Sequence, residues 1–213
     1  MTTSASLFFQ ILQLSIDRRM RLDIAPTPTD WLQIFAMAKK QSLTGVCFSG
    51  VERLAKEQSP GEDLIMEWMG ETVKIQRRNQ KLNEACQDLS TYFGNKGFTT
   101  CILKGQSNRI YYPTHLAYRR TPGDVDIWLF PKSSQQNSVK RTMELLDNES
   151  RIVSLAYLHA ELKPLNTVAI EAHFRPTFLN EPIRNHRLQK WFAESKADCI
   201  MEIEIADGIT IPM

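Results

Sequence analysis

Cysteine is scarce in this chain, and none of it is spaced as a ligand pair. Cys47, Cys86, Cys101 and Cys199 form no CxxC motif, which excludes a disulfide scaffold and a cysteine-type zinc site and leaves four reduced, mostly buried thiols as the expectation. No two cysteines or histidines lie at zinc-ligand spacing along the chain, so no zinc site is expected. Long apolar runs are absent as well. No stretch approaches the roughly eighteen apolar residues of a spanning helix, and the opening MTTSASLFFQILQLSIDRR has neither a basic n-region nor a small-residue cleavage site. A cytoplasmic protein with no membrane partner is therefore expected. Neither GxxxxGK[ST] nor GxGxxG occurs, which removes the Walker-type and dinucleotide-binding phosphate loops. Charge of one sign is also lacking: 26 basic against 24 acidic residues give +2. The whole molecule exerts no pull on DNA or an anionic surface, so such a partner would need a local patch, and no DNA partner is expected.

What is present is an ordinary globular composition, 42% apolar and 23% charged over 213 residues. That suits one large domain, or one domain with a helical appendage. Residues 1–95 read as helical. Leu7, Ile11, Leu12, Leu14 and Ile16 form an apolar stripe, and Thr29 or Asp30 is placed to cap a helix carrying Trp31, Leu32, Ile34, Phe35 and Met37. A long helix is predicted from Glu62 to Phe93, with Leu64, Trp68, Val73, Ile75, Leu82 and Cys86 inside and Lys74, Arg77, Arg78 and Lys81 outside, ended by Gly94 and Gly97. From residue 96 to 213 the pattern is α+β with a mixed sheet. Strands are predicted at Phe98–Leu103, Val125–Phe130, Val153–Leu162 and Asn166–Phe174, with an edge strand at Ile200–Ile205. Helices are predicted at Asn137–Leu146 and Ile183–Phe192.

The densest chemical signal is Gly123-Asp-Val-Asp-Ile-Trp128. Residues two apart on a strand share a face about 6.6 Å apart, so Asp124 and Asp126 project together while Val125 and Ile127 enter the core. Two carboxylates so placed repel, and folding alone gives little reason to put them there. A pair of Mg2+ ions removes the repulsion, because a hard cation prefers carboxylate oxygen. Two metals about 3.5–4 Å apart clamp the attacking and leaving oxygens of a phosphoryl or nucleotidyl transfer. In Val168–Arg175 the period is two: Val168, Ile170, Ala172 and Phe174 face one way and Glu171, His173 and Arg175 the other. Glu171 is thus a candidate third ligand, and His173 is better suited to orienting a neighbour than to binding metal. The run Leu103-Lys-Gly-Gln-Ser between strand and helix makes an anion site in which Gly105 admits close backbone approach and Lys104 and Arg120 add positive charge.

Together, LKGQSNRIYYP, RRTPGDVDIWLF and VAIEAHFRP resemble the uncharacterised nucleotidyltransferase family of the polymerase-beta-like superfamily over residues 98–176. The resemblance implies a nucleotidyltransferase-like mixed sheet with flanking helices behind a helical N-terminal region (residues 1–95, then 96–213); family members continue beyond a segment like Asp207–Met213 into a helical part that is expected to be missing from this sequence. It implies transfer of a nucleoside monophosphate from a nucleoside triphosphate to an acceptor: a small molecule, protein or RNA. By position, Asp124, Asp126 and Glu171 would be the catalytic metal ligands for two Mg2+ ions, with Mn2+ as a substitute. Lys104, Gly105, Ser107, Arg120 and Gly123 would bind the nucleotide, and His173 and Arg175 would support the site. The superfamily's Gly-Ser pair is here Gly105-Gln106, with Ser107 one place later. A catalytically inactive binding or regulatory module on the same fold is the second reading; an RNA-modifying partner in a toxin system rests on fold analogy alone.

Overall fold

A computed structural model describes residues 3–133, 138–165, 167–195 and 200–213. The chain is α+β and comprises two compact units: residues 1–80 with 111–122, and 81–110 with 123–213. That division differs from a boundary at residue 95, because the second half of the long helix belongs with the sheet and the 111–122 segment belongs with the N-terminal helices.

The first unit holds helices α1 (Ser4–Ser15), α2 (Pro28–Lys40), α3 (Thr44–Val51) and the start of α4 (Glu62–Asn95). Its core gathers Leu7, Ile11, Leu14, Trp31, Ile34, Phe35, Cys47, Phe48 and Trp68. The cap of α2 is Thr27 rather than Thr29 or Asp30. Thr27 Oγ1 accepts the Asp30 amide at 3.2 Å, and the Asp30 carboxylate accepts the Thr27 amide at 3.0 Å. Pro28 follows at the first helical position, where its missing N–H costs nothing. The hydroxyl of Thr27, then that of Ser4, donates to the Asp30 carboxylate and lowers its pKa. Thr27→Ala is expected to cost about 1 kcal/mol in urea or thermal unfolding.

Helix α3 has no sequence-level counterpart above, because TGVCFSGV is apolar on nearly every side and offers no period to read. Its placement depends on Gly45: a Cβ there would meet the backbone oxygen of Arg119 at 2.5 Å. Ile16, Leu32 and Val73, expected on buried faces, are exposed. Gly94 lies inside α4, and the helix stops before Gly97, whose φ of +79° turns the chain into the first strand.

The second unit is built on a five-stranded sheet in the order β1-β2-β5-β4-β3, with β1 Phe98–Ile102, β2 Val125–Pro131, β3 Ile152–Leu155, β4 His159–Leu165 and β5 Val168–His173. The sheet is mixed: β2 and β5 run parallel, and the other pairs are antiparallel. The segment expected as one strand over Val153–Leu162 is two, since the chain reverses at Ala156–Leu158 with no glycine or proline to announce it. Lys163–Leu165, between the two predicted strands and so expected as a hairpin connection, continues β4 instead. Ile200–Ile205 is not an edge of this sheet. Its residues contribute to β6 (Glu202–Ala206), which pairs with β7 (Ile209–Pro212) as a separate hairpin. One face of the main sheet is dry: Val125, Ile127, Leu129, Ile170, Ala172, Ala160 and Leu162 pack with Leu82, Leu89 and Phe93 of α4, Leu146 of α5 (Ser138–Asn148) and Ile205 and Ile211 of the hairpin. Helix α6 (Pro182–Ser195) follows β5. The expected helix start at Asn137, the strand start at Asn166, and Cys199 lie outside the described residues. Cys47 and Cys86 are buried free thiols pushed up to about 12 by burial, and Cys101 is half-buried. Among the described residues no helix is long and apolar enough to cross a membrane.

Candidate metal centre

The face of the sheet opposite that core carries the acidic and histidine side chains, and the strand register lays them out in rows. Asp126 of β2 stands beside Glu171 of β5, which stands beside Glu161 of β4. One step further along the strands, Trp128, His173 and His159 form the next row. Alternation along β2 and β5 is what the sequence led one to expect: Val125, Ile127, Ile170 and Ala172 go into the core, so Asp124, Asp126, Glu171 and His173 go to the other side.

Asp124, Asp126 and Glu171 converge, with one carboxylate oxygen of each lying within 4.8 Å of the others. Asp126 is the buried member, 1% exposed, while Asp124 and Glu171 are half-buried. Lys104 leaves the end of β1, where the Leu103 amide donates to the Asp126 carbonyl at 3.0 Å. Its Nζ reaches Asp126 Oδ1 at 3.1 Å. His173 Nε2 reaches the same oxygen at 3.0 Å and Glu171 Oε2 at 3.5 Å.

These contacts treat the carboxylates differently. Burial is the largest influence on Asp126 and opposes its charge, but the bonds from His173 and Lys104 outweigh it and hold the carboxyl below its ordinary value. Glu171 is raised, first by burial and further by the negative charges of Asp126 and Asp124, with His159 opposing. Lys104 is raised, chiefly by its bond to Asp126. Mutual repulsion therefore describes Glu171 but not Asp126, whose charge is compensated within the fold.

The other residues expected at the site fall as follows. Gly105 has a φ of +69° at the turn after β1. Gln106 is buried and donates to Asn83 of α4, and Ser107 is buried at the start of a short 3-10 turn. Gly123 is exposed just ahead of the two aspartates. Arg175 is held away from the carboxylates: its guanidinium donates to the Tyr157 carbonyl at 3.2 Å and lies over the Tyr157 ring at 4.8 Å. Arg120 belongs to the first unit, where its carbonyl accepts from Asn79 at 2.8 Å. Two residues beside the trio were not anticipated, His159 and Glu161; each is visible only once β4 is paired with β5.

A cavity of about 1030 Å³ is lined by Trp128, Met143, Ile152, Phe174, Arg175 and Phe192, among others. Its size and apolar lining are those of a small-molecule site, but none of Asp124, Asp126, Glu171, His173 or His159 lines it, and Met143, Ile152 and Phe174 also pack with the core of the sheet.

Asp124 just ahead of β2, Asp126 on it, Glu171 on the parallel neighbour and Lys104 at the end of β1 thus stand together on a mixed sheet consistent with a nucleotidyltransferase-like fold. The chain belongs to the uncharacterised nucleotidyltransferase family, whose family model matches residues 27–205. Searches of the curated proteins and of the solved structures find no match.

Proposed function

We propose that the chain moves a nucleoside monophosphate from a nucleoside triphosphate to an acceptor hydroxyl, in a reaction dependent on Mg2+ or Mn2+. A bond forms between the acceptor oxygen and the α-phosphorus, the α–β phosphoanhydride breaks, and pyrophosphate leaves. The observation that carries this reading is the convergence of Asp124, Asp126 and Glu171 from two parallel strands. Three hard oxygen donors, one of them a glutamate whose ionisation the fold disfavours, suit a divalent cation of the magnesium class. Bound there, such ions would offset charge on the phosphates and on the attacking oxygen.

The chain's own groups divide the remaining work. Lys104, Gly105, Ser107 and Gly123 hold the triphosphate, Lys104 exchanging its ion pair with Asp126 for one with phosphate. Glu171, with its raised pKa, accepts the acceptor's proton. His173 fixes the Asp126 carboxylate, and the apolar cavity beside Trp128 receives the body of a small acceptor, with Arg175 on its wall. A second reading, a triphosphate-binding module without turnover, is favoured by Gln106: the side chain after Gly105 is spent on Asn83 inside the core and does not face a phosphate.

Thermal shift separates the two. Mg2+ with a non-hydrolysable triphosphate should stabilise the wild type by about 2.7 kcal/mol at a hundredfold excess over Kd, and Asp124→Asn should lose most of that shift. Stabilisation by the triphosphate that is independent of metal and equal in Asp124→Asn would establish the binding module instead.

A further inference from the structure

The β4–β5 hairpin sets His159 directly opposite His173. Their rings lie 5.0 Å apart, with planes inclined at 43°. Both imidazoles turn Nε2 toward one carboxylate: His173 Nε2 is 3.5 Å from Glu171 Oε2, and His159 Nε2 is 3.8 Å from Glu171 Oε1. One donor atom from each of His159, Glu171 and His173 lies within 4.8 Å of the other two. Donors around one tetrahedral ion at about 2.1 Å stand about 3.4 Å apart, so the two histidine–Glu171 distances are already near that value, and side-chain adjustments of about an ångström close the set. The histidines are not explained as ordinary core residues. His173 is only 7% exposed, yet the Nδ1 of each ring has no hydrogen-bond partner, so the polar capacity of both rings is directed almost wholly at the Glu171–Asp126 side.

We propose that His159, Glu171 and His173 form a second metal site that takes one borderline divalent transition-metal ion of the zinc class. Two imidazole nitrogens and one carboxylate oxygen are a donor set that zinc uses with a position left open for water, and imidazole favours zinc, cobalt or nickel over magnesium. The site differs from the carboxylate trio in chemistry but shares Glu171 with it. Occupation also requires the His173 Nε2 lone pair, so the ion takes His173 away from Asp126 as it takes Glu171 away from Asp124 and Asp126. Zinc and magnesium occupancy therefore oppose each other, and zinc inhibits the transfer reaction. The inhibition rests on the function proposed above; the zinc site itself does not.

The test uses the full chain stripped of metal, titrated with ZnCl2 by calorimetry and with CoCl2 by visible absorption. One ion per chain is expected. The His159→Gln and His159→Ala substitutions should each weaken Zn2+ and Co2+ binding by roughly ten- to a hundredfold while the MgCl2-induced thermal shift persists. Asp124→Asn should do the reverse, and Glu171→Gln should weaken both. Wild-type zinc affinity in both His159 variants, or no zinc binding by the wild type, overturns the site. Should the variants fold poorly, the wild-type cobalt spectrum decides: four- or five-coordinate nitrogen-ligated Co2+ supports the site, and a six-coordinate oxygen-only spectrum overturns it. Histidine-dependent zinc binding without any magnesium shift would sink the carboxylate reading and leave the zinc site standing.

Discussion

Glu171→Gln should abolish most activity while leaving the protein as stable as before or more so. The fold holds the Glu171 carboxyl above its ordinary pKa, through burial first and then the charges of Asp126 and Asp124. A carboxyl raised on folding ionises less favourably in the native state than in the unfolded chain, so its charge at neutral pH works against folding. Glutamine keeps the shape and removes that charge. A gain of up to roughly 2 kcal/mol is of the size seen when a strained active-site group is relieved, and it should shrink as pH falls and the wild-type carboxyl protonates. Under the function proposed above, the same change would remove a metal ligand and the proton acceptor, so nucleotidyl transfer should fall by about 10²–10³-fold, the scale of losing one preorganised electrostatic group. Release of labelled pyrophosphate and unfolding at several pH values measure the two effects on one sample. A marked loss of stability at neutral pH would show that Glu171 is a structural acceptor.

Asp126→Asn should behave in the opposite way, losing both activity and stability. Asp126 is 1% exposed and accepts from Lys104 and His173 on a single oxygen. Its carboxyl is held below the ordinary value because those two bonds outweigh the burial that opposes its charge. Such a group stabilises the fold above its unfolded pKa and ceases to do so as pH drops through the depressed folded value. Asparagine can still accept a hydrogen bond, but it no longer supplies the charge, so a cost of about 1–3 kcal/mol at neutral pH is expected. The gap between wild type and variant should close in acid, below the ordinary carboxylate range. A pH series of denaturation midpoints checks this, and a gap that persists unchanged below about pH 3 would mean that packing, not charge, is lost.

The contrast between these two carboxylates shows where reading the sequence stopped. Alternation along Val125–Ile127 and Val168–Phe174 was enough to place Asp124, Asp126 and Glu171 on one face, because a half-buried strand has a period of two whatever its neighbours are. The sequence did not disclose that bonds outweigh burial at Asp126 while burial and like charge prevail at Glu171. That distinction depends on Lys104 arriving from another strand and on His173 leaning across the sheet. His159 was missed for a related reason. Ligand spacing is sought along the chain, whereas His159 and His173 are fourteen positions apart and meet only across an antiparallel pair. Helix α3 escaped because its segment is short and lacks a clear period, β7 and its pairing with β6 escaped because Ile209–Pro212 is too short to read alone, and the turn at Ala156–Leu158 escaped because it uses none of the usual turn residues.

The parallel pairing of β2 with β5 also sets an order of events during folding. Antiparallel neighbours such as β4 and β5 can zip together from a short connection, but parallel neighbours cannot meet across a tight turn. Asp126 and Glu171 are adjacent in register although 45 residues separate them (171 − 126), so their approach carries the entropy of closing a long loop before any contact rewards it. The β4–β5 hairpin, a local structure, is therefore expected to form ahead of the β2–β5 pairing, so that His159, Glu171 and His173 come together before Asp126 joins Glu171; folding kinetics in which substitutions in β2 slow folding more than those in the hairpin would reverse that order.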